Sequence, residues 1–333
     1  MRAILWPVAV ILSVACQSAP PNTPENPGPG NPQPNSIRPC GTSISAPVAE
    51  HVIWIWMENR DYAHVIGASD APYENMLASK CGLLTNYHSV AKPSLPNYIA
   101  ATSGSTQGIA DNDSPAAHPL AAANLFSQVK ASGRQWRSYQ ESAPGNCSSA
   151  TTALYAVKHD PAPYYTNLAG DCASWDVPMG TTTGGNFLSA LNAGALPAFT
   201  FITPNLCNDT HDCPVNTGDQ WLASWIPRIL DGPNYRDGNT VLFLMWDEGI
   251  AGDRIPAIVV SPFTRAGVTT GTRFDHYSLL KTTDQLLGLA PHLGNAAGAA
   301  SMIPELFTSG GGTLSPPAPS RVGSDPRDRD HGP

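Results

Sequence analysis

The sequence predicts an α/β protein, a three-layer sandwich with a mostly parallel central sheet and helices on both faces. Two observations carry that expectation. Short runs such as 52–57 (VIWIWM), 198–204 (AFTFITP), 241–246 (VLFLMW) and 256–262 (PAIVVSP) are almost continuously apolar, the pattern of strands buried on both sides. Longer stretches of helical character lie between them, and strands alternating with helices imply parallel strands joined by crossovers.

Taken in order, 52–57 reads as a strand, 73–81 (YENMLASKC) as a helix and 84–90 (LTNYHSV) as an extended segment. A helix starts at 95–104 (LPNYIAATSG), with Pro96 in its first turn, where proline is tolerated. The stretch 119–132 (PLAAANLFSQVKAS) is the clearest amphipathic helix, followed by a strand at 135–140 (QWRSYQ). Helices at 186–194, 218–230 and 277–289 separate the remaining strands. No repeat of solenoid period interrupts the order.

The ends have a different character. Residues 1–16 place Arg2 ahead of an apolar stretch too short to span a bilayer comfortably, as an export signal does. Residues 17–47 are rich in Pro and Asn and read as a disordered tether; 309–333 reads as a disordered tail, leaving 48–308 as one folded domain. Net charge is −8 and only 13% of residues are charged, which argues against nucleic acid as a partner. Cys16 closes the signal and precedes the tether, as the lipidated cysteine of a bacterial lipoprotein does, although Ser13 stands where such signals usually have Leu. The other six of the seven cysteines are an even set, as expected for three disulfides in an exported protein. Sequence proximity favours Cys207–Cys213 and Cys147–Cys172, leaving Cys40–Cys81. A zinc site is disfavoured because no Cys-x-x-Cys pair exists. The location expected is therefore outside the cytoplasm, as a cell-surface or periplasmic lipoprotein or a secreted protein, with membrane contact only through an N-terminal lipid.

Two apolar strands end abruptly in acids: Glu58 and Asn59 follow 52–57, and Asp247 and Glu248 follow 241–246. Ligands bind beyond the carboxyl ends of strands in such sheets. Carboxylates gathered there cost several kcal/mol unless a cation compensates them. Oxygen ligands of this kind suit Mg²⁺, Mn²⁺ or Ca²⁺ better than Zn²⁺. Ser94 stands at the start of a helix, where it serves either as a plain N-cap or as a nucleophile beside free N–H groups that attract phosphate. The loop 203–222 gathers Asn205, Asn208, Asp209, His211, Asp212 and Asp219, with Cys207 and Cys213 bracketing His211. Asp275 and His276 precede the last helix.

Together MENRDY, TNYHSVAKPSLPNYIAATSGS, TPNLCNDTHDC with GDQWL, MWDEG with RIPAIVVSP, and DHYSLLKTTDQLLGL resemble the bacterial phosphoesterase family that contains acid phosphatases and nonspecific phospholipases C, within the alkaline phosphatase-like superfamily. The resemblance runs from about residue 50 to 295, in the family's order. It implies an alkaline phosphatase-like sandwich and hydrolysis of phosphate esters through a phosphorylated Ser or Thr. Ser94 falls at the nucleophile and Asn97 at a residue that helps hold phosphate. Glu58, Asn59, Asp247 and Glu248 fall at metal ligands, and His211 and His276 at pocket histidines. Two-metal members carry Asp-x-x-x-His, but here Cys207 stands four before His211. One metal is therefore expected, with His211 and His276 contacting phosphate or donating a proton. Asp209, Asp212 and Asp219 remain candidates for an additional ion.

The formylglycine motif of sulfatases, Cys/Ser-x-Pro-x-Arg, is broken here by Tyr98. A Ser–His–Asp esterase would need a Gly-x-Ser-x-Gly elbow, which Ser94 lacks, and would leave the strand-end acids without a purpose. A surface lipoprotein that only binds a phosphorylated ligand is the non-enzyme alternative. Between phosphomonoesters and phospholipids, the lack of a basic amphipathic helix favours the former. Oligomeric state is not legible in the sequence.

Overall fold

The computed structural model describes residues 39–43 and 49–307. These lie in a compact unit that begins at Arg38. The expected export signal, Cys16, the tail and nearly all of the tether lie outside the described residues. Among the described residues no helix is long and apolar enough to cross a membrane.

Among the described residues, eleven strands form two sheets: β1 (His51–Met57), β2 (Gly82–Leu84), β3 (Tyr87–His88), β4 (Trp136–Gln140), β5 (Asp176–Pro178), β6 (Phe199–Thr203), β7 (Thr240–Trp246), β8 (Arg254–Ile255), β9 (Ala257–Val260), β10 (Thr269–Thr270) and β11 (Phe274–Asp275). The large sheet has the order β10-β2-β9-β7-β1-β6-β4-β5, and the small one β11-β3-β8. β1 sits in the middle, parallel to β7 on one side and β6 on the other. All three are buried along almost their whole length, which accounts for their unbroken apolar sequences. The mostly parallel sheet predicted from sequence is present. β9 runs antiparallel to both β7 and β2. Only residues 247–256 join β7 to β9, too few for the roughly dozen-residue crossover a parallel return needs.

Both faces are covered, as alternation along β1 shows. Trp54 Nε1 donates to Thr283 Oγ1 in helix His276–Leu287 at 3.0 Å, and Trp56 packs on Tyr98 of helix Ser94–Ser103 at 4.8 Å. Met57 points the opposite way, against Gly218 of helix Val215–Asp231.

Two elements differ from the sequence reading, and one stretch for which the sequence predicts no element acquires several. The helix expected over 119–132 is confined to Leu125–Ala131, because Leu120 bridges to Tyr165 and Asn124 caps the helix through the Ser127 N–H. The extended segment 84–90 divides between β2 and β3 in different sheets. The stretch 141–185, which has no clear periodicity, forms short 3-10 turns, helix Ala169–Trp175 and β5, tied by the Cys147–Cys172 disulfide. The Cys40–Cys81 and Cys207–Cys213 disulfides complete the expected set of three.

Candidate active site

Parallel register sets the first pair of acids side by side. Met57 is level with Trp246, so Glu58 and Asp247 leave adjacent strands at the same height. The Asp247 N–H donates to the Met57 carbonyl at 3.1 Å, and the Asn59 N–H donates to Asp247 Oδ1 at 3.0 Å. Asn59 has a left-handed backbone (φ 50°), a conformation that Asn tolerates, and turns the chain out of the sheet. On the other flank, the loop after β6 reaches over: the Asp209 carbonyl accepts from the Glu58 N–H at 2.8 Å, and Thr210 Oγ1 donates to the Glu58 carbonyl at 2.8 Å.

Ser94 is the first residue of helix Ser94–Ser103, and Pro93 occupies the N-cap, so the plain capping role weighed for Ser94 is not the one it plays. Its Oγ lies 3.3 Å from Glu58 Oε2 and 3.3 Å from Glu248 Oε1. One hydroxyl proton thus faces two buried carboxylates. Tyr98, one turn along the same face, donates its hydroxyl to Glu58 Oε1. Its ring stacks on His159 at 5.5 Å. The His159 Nε2 lies 3.2 Å from Glu58 Oε1, and its Nδ1 lies 3.4 Å from Asp209 Oδ2.

Burial controls the electrostatics. Glu58 and Asp209 are pushed well above the usual carboxylate range, mainly by loss of solvent and further by the nearby acids. Asp247 is raised by burial, and Glu248 is raised to about 7 by burial and then by Asp247. Burial pushes His159 well below the ordinary imidazole value. Asp247 Oδ2, Glu248 Oε2, Asp209 Oδ2 and His159 Nε2 are buried without a hydrogen-bond partner. Glu58, His159 and His211 each bring a ligand atom within 4.8 Å of the others. Converging, unpaired donors of this kind fit a cation, since buried polar atoms are otherwise satisfied.

Some residues expected at the site serve it differently. Asn97 accepts from the Val90 and Ala91 N–H groups and donates to the Ala91 and Pro93 carbonyls, at 2.9–3.3 Å. Its amide holds the 90–93 loop behind Ser94. His276 is wholly buried. Its Nε2 donates to the Asp247 carbonyl at 2.7 Å, which leaves Nδ1 to accept from the Tyr87 hydroxyl at 3.0 Å. Burial lowers its pKa to about 4. With both nitrogens engaged, the ring supports the Asp247 backbone. Asp219 lies away from this cluster, where its Oδ1 accepts the Glu74 N–H at 2.8 Å and caps a neighbouring helix. Asp212 is exposed and holds His211 Nδ1 at 2.6 Å, which orients the ring toward Lys158, 3.2 Å from Nε2.

His159, Lys158 and Lys92 were not singled out from the sequence, and Tyr98 entered only as the residue that breaks a sulfatase motif. Tyr98 stands four residues after Ser94 and could have been found from helical spacing. His159 lies in the aperiodic stretch between Cys147 and Cys172, and an isolated Lys-His-Asp run there gives no sign of direction.

The model of the Phosphoesterase family matches residues 68–290, starting downstream of Glu58 and Asn59. The chain is 31% identical over 268 residues to the phosphatidylinositol-3-phosphatase of Mycobacterium tuberculosis, covering 79% of this chain and 85% of that protein. It is 32% identical over 256 residues to an acid phosphatase of Aspergillus fumigatus, covering 72% of this chain but 55% of the relative, so it spans about half of that fungal protein. An alkaline phosphatase superfamily protein from Vibrio parahaemolyticus shares the fold with a TM-score of 0.53 at 11% identity, over 80% of this chain and 74% of that one. The lipoteichoic acid synthase LtaP of Listeria monocytogenes does so with a TM-score of 0.54 at 10% identity, over 82% and 81%. The sheet, the match over 68–290 and the mycobacterial relative agree: the chain belongs to the Phosphoesterase family, hydrolases of phosphoric esters with an alkaline phosphatase-like fold.

Proposed function

We propose that the protein is a metal-dependent phosphomonoesterase that works through a phosphoserine at Ser94. The observation that carries this reading is the Ser94 hydroxyl, 3.3 Å from Glu58 and from Glu248 at the first turn of a helix. Glu58, Asp247 and Glu248 would hold a divalent cation, with Asn59 beside them and His159, His211 and Asp209 on the flank. Their oxygens suit Mg²⁺, Mn²⁺ or Ca²⁺, and the two imidazoles widen the choice to ions that accept nitrogen. When bound, such a cation supplies positive charge that offsets the phosphate oxygens and favours the ionised seryl oxygen.

The side chains account for the rest. As the Ser94 Oγ–P bond forms, the hydroxyl proton passes to a facing carboxylate, and the ester P–O bond breaks. The leaving oxygen takes a proton from the Lys158–His211 pair at the partly open side. Water then attacks the phosphoserine and passes a proton to the Lys158–His211 pair; the Oγ–P bond breaks, phosphate departs and the carboxylate returns its proton to Oγ. The positive end of the helix favours the anion throughout, although the Leu95 N–H is already given to Asn112 Oδ1 at 3.0 Å. Names of the relatives support phosphatase chemistry, and one of them acts on a phosphoinositide. The three disulfides support an exported protein. The domain boundaries and the lipid on Cys16 read from the sequence are retained as part of this proposal.

Ser94→Ala tests the assignment. Turnover of p-nitrophenyl phosphate should fall to background, with melting temperature and metal content close to wild type. A variant that keeps near-normal kcat would overturn it.

A further inference from the structure

Two grooves open beside the site. One, of about 570 Å³, is lined by Asn59, Lys92, His211 and Glu248 among others. The other, of about 420 Å³, runs along Ala63, Ala68, Pro214 and Val215, with His64 and Asp70 also present. They share Arg60 and Ile250.

Ile250 is 59% exposed, more than any other large apolar side chain among the described residues. It is not on a loose loop. Lys92 Nζ donates to the carbonyls of Gly249 and Ile250 at 2.6 and 3.1 Å. The Asp61 carboxylate accepts from the N–H groups of Ala251 and Gly252 at 3.1 and 2.8 Å. Gly249 is required there, because a Cβ would lie 2.1 Å from Asp61 Oδ1. Arg60 is equally fixed, donating to the Asn59 and Cys213 carbonyls at 2.7 and 2.9 Å. An apolar side chain is thus held in water by a braced backbone, and a preorganised wall loses little freedom when a ligand covers it.

We propose that the groove walled by Ile250, Arg60, Pro214 and Val215 is the leaving-group subsite, and that it takes the apolar body of an aryl or acyl-bearing alcohol. The proposal rests on the reading of Ser94 as the residue that accepts the phosphoryl group. The acids beside Ser94 mark where that group sits; the first groove reaches Glu248, and Arg60 and Ile250, which line both grooves, give the alcohol a way on into the second. Ala63, Ala68, Pro214, Val215 and Ile250 offer no side-chain hydrogen bonds, so a polyol lying there would find side-chain partners only in Arg60, His64 and Asp70 and would leave its other hydroxyls without one. Arg60 adds a planar cation that stacks on aromatic faces.

The test measures kcat/KM for 1-naphthyl phosphate, lysophosphatidate and glycerol 3-phosphate with the wild-type chain, Ile250→Asn and Ile250→Leu. The Asn variant should lose about tenfold more on the apolar esters than on glycerol 3-phosphate, and Leu should restore most of that loss. A larger loss on lysophosphatidate assigns the groove to an acyl chain, and one on naphthyl phosphate to an aryl group. Equal losses on all three esters, or none, overturn the subsite alone. A wild-type protein that hydrolyses none of them overturns the subsite together with the phosphoesterase reading beneath it.

Discussion

Glu58 and Glu74 are both glutamates with no exposed surface, and their surroundings treat them in opposite ways. Glu58 is met by Ser94, Tyr98 and His159. Glu74 has no partner for either carboxylate oxygen, and burial, then Asp219 and Asp70, push its pKa well above the usual range. A raised folded pKa means that the neutral form stabilises the fold. That contribution is complete below the unfolded value and is lost as pH rises through the folded one. Glu74→Gln cannot ionise, so its advantage over wild type should grow with pH. It should be small near about pH 4 and reach about 1–3 kcal/mol by about pH 8, read from paired melting curves. A gap that does not change with pH would contradict this. At this scale the sequence revealed the strand-end acids because each breaks an apolar run. The hydrogen bonds of Asn97 and His276 turn toward loop and backbone in ways spacing does not encode.

At the scale of elements, the site depends on how closely helix Val215–Asp231 approaches β1. A Cβ on Gly218 would lie 2.4 Å from Thr210 Cγ2, 2.8 Å from Met57 Cε and 3.1 Å from the Asn208 carbonyl. Two effects of Gly218→Ala compete. Helix propensity favours Ala by about 0.8–1 kcal/mol, whereas overpacking against a backbone carbonyl and a fixed threonine costs about 1–3 kcal/mol. The clash should win. Thr210 also holds the Glu58 carbonyl, so kcat should fall at least about tenfold, which corresponds to about 1.4 kcal/mol on the barrier. A more stable variant with full activity would refute the argument. The central strands were legible because burial on both faces leaves a continuous apolar run. The reversal of β9 depends on connection length, and the shortened helix at Leu125–Ala131 on a tertiary bridge at Leu120; neither leaves a periodic mark.

Across the whole molecule, three strand ends and one helix start meet at a single edge of the sheet. β1 and β7 bring the acids, the loop after β6 brings Asp209 and His211, and helix Ser94–Ser103 brings the hydroxyl. The sandwich was readable from strand–helix alternation, and all three disulfide pairings from an even cysteine count and proximity. The contribution of 141–185 was not, since that segment is ordered by a disulfide and 3-10 turns rather than by a repeating pattern. A phosphoserine route consists of two displacements at phosphorus, and a direct attack by water consists of one. Hydrolysis of a phosphorothioate monoester made chiral at phosphorus with two oxygen isotopes, in water bearing the third, separates them even when no intermediate accumulates. Net retention of configuration is the predicted result, and net inversion would contradict the central role given to Ser94.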